Sequence, residues 1–255
     1  MLLEYYLNNH LYFRIGTGIN NKKGVNSMNT VDLIIDSSIK FFNDLKADEH
    51  GRYRSWEHCY SHFINARKNN NINVDYLSLQ LAFYLASWGM YRGSSFLLQK
   101  DYRVHIPVVK ELLRKKYNPL AAIECTDFRE AYNQKLLLDI NEFLNEYYDK
   151  IRREVKGIEL KNKLSDTLIT KILMGTLGCV PAYDRYFIDG IKKQKIAIGN
   201  YNIKSILQLV EFYEKYSEQL ESVREKMKVA DMLYPQMKIL DMGFWQVGFD
   251  FDRNK

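Results

Sequence analysis

A carboxylate at a helix junction is the residue of this chain best placed to do chemistry. Residues 168–190 read LITKILMGTLGCVPAYDRYFIDG. An apolar helix runs into Gly178, a short turn follows, and Pro181 and then Asp184 open the next helix. Glycine just past a helix end and proline in a first helical turn are the expected punctuation for two tightly joined helices. Asp184 is therefore expected in the first turn of the second helix, where the helix dipole favours a negative side chain. Two roles are open to it: stabilising its own helix, or acting from the mouth of a junction.

A second cluster, SWGMYRGSS over residues 87–95, carries two glycines, a guanidinium and paired hydroxyls. Glycine inside a helix costs about 1 kcal/mol relative to alanine, so Gly89 and Gly93 mark a loop or a close approach. Arg92, Ser94 and Ser95 are the types that grip a phosphate, and Trp88 or Tyr91 can stack on a base. The same residues also suit a packed helix end, with the aromatics in the core and Arg92 lying along the surface.

Two further segments hold reactive types. RYRSWEHCYSHF (residues 52–63) places His58 and His62 one helical turn apart, but with no HExxH pattern and no third ligand, so no metal is expected. YPQMKILDMGFWQVGFDFD (residues 234–252) reads as a helix closing the core, with Trp245 and Gln246 as candidates to reach a pocket shared with Asp184.

These groups need elements to hold them. Four prolines and thirteen glycines in 255 residues leave long periodic stretches, which favours helices over many short strands. Helices are expected at about 30–46, 55–68, 74–90, 104–117, 127–156, 165–177, 181–193, 202–229 and 234–247, with a short strand pair open around 194–201. The fold class is all-α, a two-lobed orthogonal bundle of helices over residues 28–255. Residues 1–27 lack a clear period, and the text changes at Met28 to a capped helix start. Because the codons of Lys23-Gly24-Val25 can spell a bacterial ribosome-binding sequence, translation is expected to begin at Met28, with 1–27 an extension outside the fold.

Composition narrows the partners. Apolar residues make up 46% and charged residues 27%, an ordinary balance for a globular chain. A net charge of +6 with a pI near 9.0 favours an anionic partner, nucleic acid first. Abundant lysine, asparagine and isoleucine also follow from an AT-rich genome. Three scattered cysteines, Cys59, Cys125 and Cys179, form no metal-binding spacing and suit a reducing cytoplasm. No stretch is long and apolar enough for a membrane span, and no cofactor motif is present.

The run TLGCVPAYDRYFIDG resembles the catalytic-aspartate segment of the helix-hairpin-helix DNA glycosylases, with Pro181, Asp184 and Phe187 in the family's order. Residues 79–98, LQLAFYLASWGMYRGSSFLL, are similar to the family's apolar helix and polar exit loop. The likeness spans about residues 75–191. It differs in two places: KNKLSDTLIT (161–170) has no glycine hairpin, and the four-cysteine cluster of some members is missing. The nucleophilic lysine of bifunctional members falls near Ser165 and Asp166, with Lys161, Lys163 and Lys171 out of register. The resemblance implies a nucleic-acid-binding protein, DNA first, with base excision as its activity. Asp184 would be the catalytic carboxylate. Arg92, Ser94, Ser95, Lys171 and Arg185 would contact phosphate or line the cleft, and Trp88, Tyr183, Trp245 and Gln246 would line the base pocket. Two alternatives stand beside it: a non-catalytic helical interaction protein, and a ribonuclease of HEPN type, suggested by the spacing of Arg52 and His58.

Overall fold

The computed structural model describes residues 29–69, 72–155, 164–229 and 231–253. The expected extension at 1–27, its start at Met28, and Lys161 and Lys163 lie outside the described residues. Helix accounts for 73% of the structure, and the bundle is all-α. Ten α-helices are described: α1 Thr30–Ala47, α2 Ser55–Lys68, α3 Val74–Ser87, α4 Ile106–Leu112, α5 Ala131–Arg153, α6 Asp166–Thr176, α7 Arg185–Lys193, α8 Ile203–Lys215, α9 Ser217–Arg224 and α10 Gln236–Arg253. Short 3-10 turns join several of them, and two-residue strands β1 (Lys228–Val229) and β2 (Met232–Leu233) pair antiparallel.

Several expected boundaries move. The strand pair lies at 228–233, not at 194–201. The long helix expected over 202–229 breaks at Tyr216, whose backbone (φ −121°, ψ 27°) leaves helical geometry and divides α8 from α9. The helix expected from 104 is a 3-10 turn (Tyr102–His105) running into α4, where Pro107 at the second position suits a helix start. No described helix is long and apolar enough to cross a membrane.

Helix α10 is the axis of the bundle. Every residue from Gln236 to Gly248 is buried, the charged Lys238 and Asp241 among them. Glycines set how closely its neighbours approach. A Cβ at Gly190 of α7 would stand 2.0 Å from the Phe244 carbonyl oxygen, and one at Gly248 would stand 1.9 Å from that of Tyr186. The two helices therefore meet backbone to backbone at two points. On another face Ser38 of α1 donates to the Ile34 and Ile239 carbonyls at 2.8 and 3.1 Å, and a Cβ at Gly243 would strike both Ile34 and Ser38. The buried apolar side chains form one continuous cluster from Val31 to Val247.

A buried histidine fixes the segment after the glycine loop. His105 is fully buried, with Nε2 2.7 Å from the Tyr91 hydroxyl and Nδ1 2.6 Å from that of Tyr148 in α5. Burial drives its pKa down from 6.5 to about 3, so the ring is neutral when folded.

Two stability tests follow from this packing. Between pH 6.5 and 3 the unfolded chain binds a proton at His105 that the folded chain does not, so stability falls as pH falls through that window. The expected loss is on the order of 4 kcal/mol, and urea melts of a His105→Gln variant should show a shallower acid arm. Gly190→Ala should cost about 3 kcal/mol or prevent folding, because the methyl group meets rigid backbone. A thermal midpoint equal to that of the parent chain would contradict this packing.

Candidate functional site

The turn before α7 is shaped by its neighbours. Helix α6 ends at Thr176, and Gly178 takes φ +65°, its N–H bonding back to the Leu173 carbonyl at 2.9 Å. This is the expected left-handed helix stop. Pro181 does not open the next helix. Residues 181–183 stay irregular because side chains from two other helices hold them. Thr170 Oγ1 accepts from the Tyr183 N–H, Thr167 Oγ1 donates to the Tyr183 carbonyl, and Asp241 Oδ1 of α10 accepts from the Ala182 N–H, each at 2.9 Å. The helix consequently starts at Arg185, and Asp184 is its N-cap rather than a first-turn residue. Asp184 Oδ1 accepts from the Phe187 N–H at 3.2 Å, and Oδ2 stands 3.4 Å from Lys171 Nζ.

Lys171 is a knot joining three parts of the chain. Its ammonium, on a side chain only 4% exposed, faces Asp184, donates to the Trp88 carbonyl at 3.0 Å, and lies 5.4 Å from the Trp88 ring. It ties α6 to the glycine loop and to the Asp184 turn. Of the two roles expected of Lys171, contacting phosphate or lining the cleft, the structure places its buried side chain in the cleft floor. Burial raises the Asp184 pKa; Lys171 opposes that rise and the Asp241 carboxylate adds to it. Burial lowers the Lys171 pKa, with Asp184 the main opposing influence.

These residues form the floor of a cleft of about 490 Å³. Tyr53, Trp88, Tyr186 and Trp245 supply aromatic walls, and Arg52, Arg92 and Arg185 stand at the rim. The rings pack against each other: Tyr53 lies 4.9 Å from Trp88, while Trp245 meets Tyr186 edge-on at 5.3 Å. Arg185 pairs with Asp252 at 2.9 Å, and Arg52 donates to its neighbour Tyr53. Arg92 is exposed; its carbonyl accepts from the Ser95 N–H at 3.2 Å, and its guanidinium makes no hydrogen bond or ion pair among the described residues. It sits between Gly89 (φ +79°) and Gly93 (φ +59°), and its guanidinium folds over Gly89, where a Cβ would lie 2.9 Å from Nε. Its left-handed backbone angle favours glycine at that position, while the Arg92 side chain can swing aside.

No family model, no curated protein and no solved structure matches this chain.

Six of the expected site residues thus share one cleft: Asp184, Lys171, Arg92, Arg185, Trp88 and Trp245. Four do not. Tyr183 is buried and bonds the Ser205 hydroxyl at 2.8 Å, because the clamped turn points it into the core. Gln246 is buried on another face of α10 and donates to Asp250. Ser94 and Ser95 line a neighbouring groove that shares Gly89, Met90 and Arg92 with the cleft, and Ser95 Oγ donates to the Met90 carbonyl at 2.6 Å, bracing the loop. Arg52 and His58, paired by the ribonuclease alternative, line different cavities. His62 meets the Tyr76 hydroxyl at 3.1 Å, and the described residues contain no group of three or more metal-ligating side chains.

Sequence reasoning missed Tyr53 as a cleft wall and Asp241 with Lys238 beneath the floor. A signal for the pair was present: two opposite charges three residues apart inside an otherwise apolar helix must meet each other if that helix is buried.

Asp184→Ala should lower stability by about 3 kcal/mol near neutral pH, because it strands a buried ammonium as well as removing the cap. In that variant the unfolded chain binds the Lys171 proton over a wider alkaline range than the folded chain, so stability should recover as pH rises toward about 10. An Asp184→Leu/Lys171→Met double variant should regain most of the loss. Denaturant titrations of the three proteins across pH would check both points.

Proposed function

We propose that the cleft binds nucleic acid, DNA first, and that Asp184 serves base excision from its floor. The observation that carries this reading is the convergence of Asp184, four aromatic walls and three rim guanidiniums on one concave surface. The rim suits backbone phosphates, which arginine grips through parallel hydrogen bonds. Aromatic faces suit a base turned out of its stack, since every base offers a π-face. In this reading the sugar follows its base toward Asp184. A carboxylate in a poorly hydrated site attracts a developing cation more strongly than one in water, so it would stabilise an oxocarbenium-like sugar as the base leaves. Lys171 fixes the direction of that carboxylate.

One observation favours a second reading. Both Asp184 oxygens already have partners, Phe187 N–H and Lys171, and the side chain is 14% exposed. In a non-catalytic helical interaction protein, the same pair would simply join α6, α7 and the glycine loop.

Binding to duplex and single-stranded oligonucleotides over a salt series separates the two. The excision reading expects affinity to fall as salt rises, with Arg92→Ala lowering the salt slope by about 1. It expects base release from duplexes carrying deaminated or alkylated bases by the parent chain and none by Asp184→Asn, which keeps the capping oxygen. Absence of salt-dependent binding would leave the interaction protein; binding without base release would remove excision alone.

A further inference from the structure

Beneath the cleft floor lies a second buried ion pair that the excision reading does not use. Lys238 Nζ stands 2.7 Å from Asp241 Oδ2, and their side chains are 2% and 6% exposed. The ammonium is enclosed by the rings of Trp56, Phe41 and Trp88 at 4.8, 5.4 and 5.6 Å. Trp88 is thus shared, with Lys171 against it as well as Lys238, and it is also a wall of the cleft. The other oxygen of Asp241 accepts from the Ala182 N–H, two residues before Asp184. A buried carboxylate and ammonium gain little net stability over well-packed apolar residues, so a pair kept beneath a cleft has a use to be sought in what it touches.

We infer that Asp241 is a positioning residue for Asp184: from α10 it holds the Ala182 amide, and so the turn that aims Asp184 into the cleft, while its negative charge, paired with Lys238, also acts on Lys171, the partner of Asp184. The close approach of α10 and α7 at Gly190 and Gly248 makes this hold rigid, because α10 cannot shift without carrying the helix that Asp184 caps. Thr167 and Thr170 hold the Tyr183 end of the same turn; the Ala182 end rests on Asp241. The charged and titratable groups around Asp184 are Lys171 on α6, Asp241 on α10 and Tyr84 on α3, with Arg92 acting on Lys171 from the loop. The structural relation stands on its own; its value to a reaction rests on the excision reading.

Asp241→Asn separates the two contributions, since its amide oxygen still accepts from Ala182 while the charge is gone. Carboxyl-detected NMR titration of Asp184 in the full chain is the readout. The expected result is a lower Asp184 titration midpoint in Asp241→Asn, because a neighbouring negative charge has been removed. Should that variant fail to fold, Asp241→Asn/Lys238→Met removes the pair together and still has to lower the midpoint relative to Lys238→Met alone. Asp241→Leu/Lys238→Met, which loses the acceptor too, should move the Ala182 and Asp184 amide resonances where Asp241→Asn/Lys238→Met does not. An unchanged Asp184 midpoint in a folded variant lacking the Asp241 charge, or unchanged amide resonances in the leucine variant, would overturn the inference. Neither readout involves DNA, so failure to excise a base would sink the functional reading while leaving this one standing.

Discussion

Backbone meets backbone where α7 crosses α10, and most of the site's geometry depends on that contact. Gly190 and Gly248 leave no room for a side chain between the helices. Because protein interiors are close-packed, such a contact cannot slide by fractions of an ångström to absorb a change elsewhere. It fixes Asp184 at the head of α7, Trp245 on α10 beside it, and Asp241 beneath it as one unit. The cleft is then closed from the other side by the glycine loop, which Lys171 draws in through the Trp88 carbonyl.

Placing four charged groups under aromatic walls carries an energetic constraint. Two lysines and two aspartates lie close together with little water, and each charge needs its opposite within reach. Such a cluster contributes less to stability than apolar packing would, but it admits few alternative arrangements. The opposing shifts at Asp184 and Lys171, both driven first by burial, belong to the same constraint. Perturbed groups that line an open cleft are the usual mark of a working site, although a structural ion pair produces the same shifts. Arg92 differs from that cluster, being an exposed guanidinium with no partner among the described residues, held at the rim by two left-handed glycines.

Much of the fold was legible in the sequence for simple reasons. Sparse proline and long apolar periods allowed little except helices, and Gly178 marks a real helix stop. The errors fell where tertiary contacts overrode local preference. Pro181 is a good helix starter, yet Thr170 and Asp241 claim the amides that follow it and delay the helix to Arg185. Helix periodicity continues through Tyr216, but the chain turns there.

By itself the sequence determined that the chain is all-α, that the glycines at 89 and 93 and at 178 interrupt apolar helices, and that Asp184 and Arg92 are the groups to watch, because glycines and periodicity act over a few residues. Only the tertiary structure decided that those two groups, about ninety residues apart, face one cleft. It also decided that Lys171 is buried against Asp184, and that Tyr183 and Gln246 turn away. Helix faces are set by which neighbour covers them. A lysine in the middle of an apolar helix reads the same in sequence whether its ammonium reaches solvent or a carboxylate brought in from another turn.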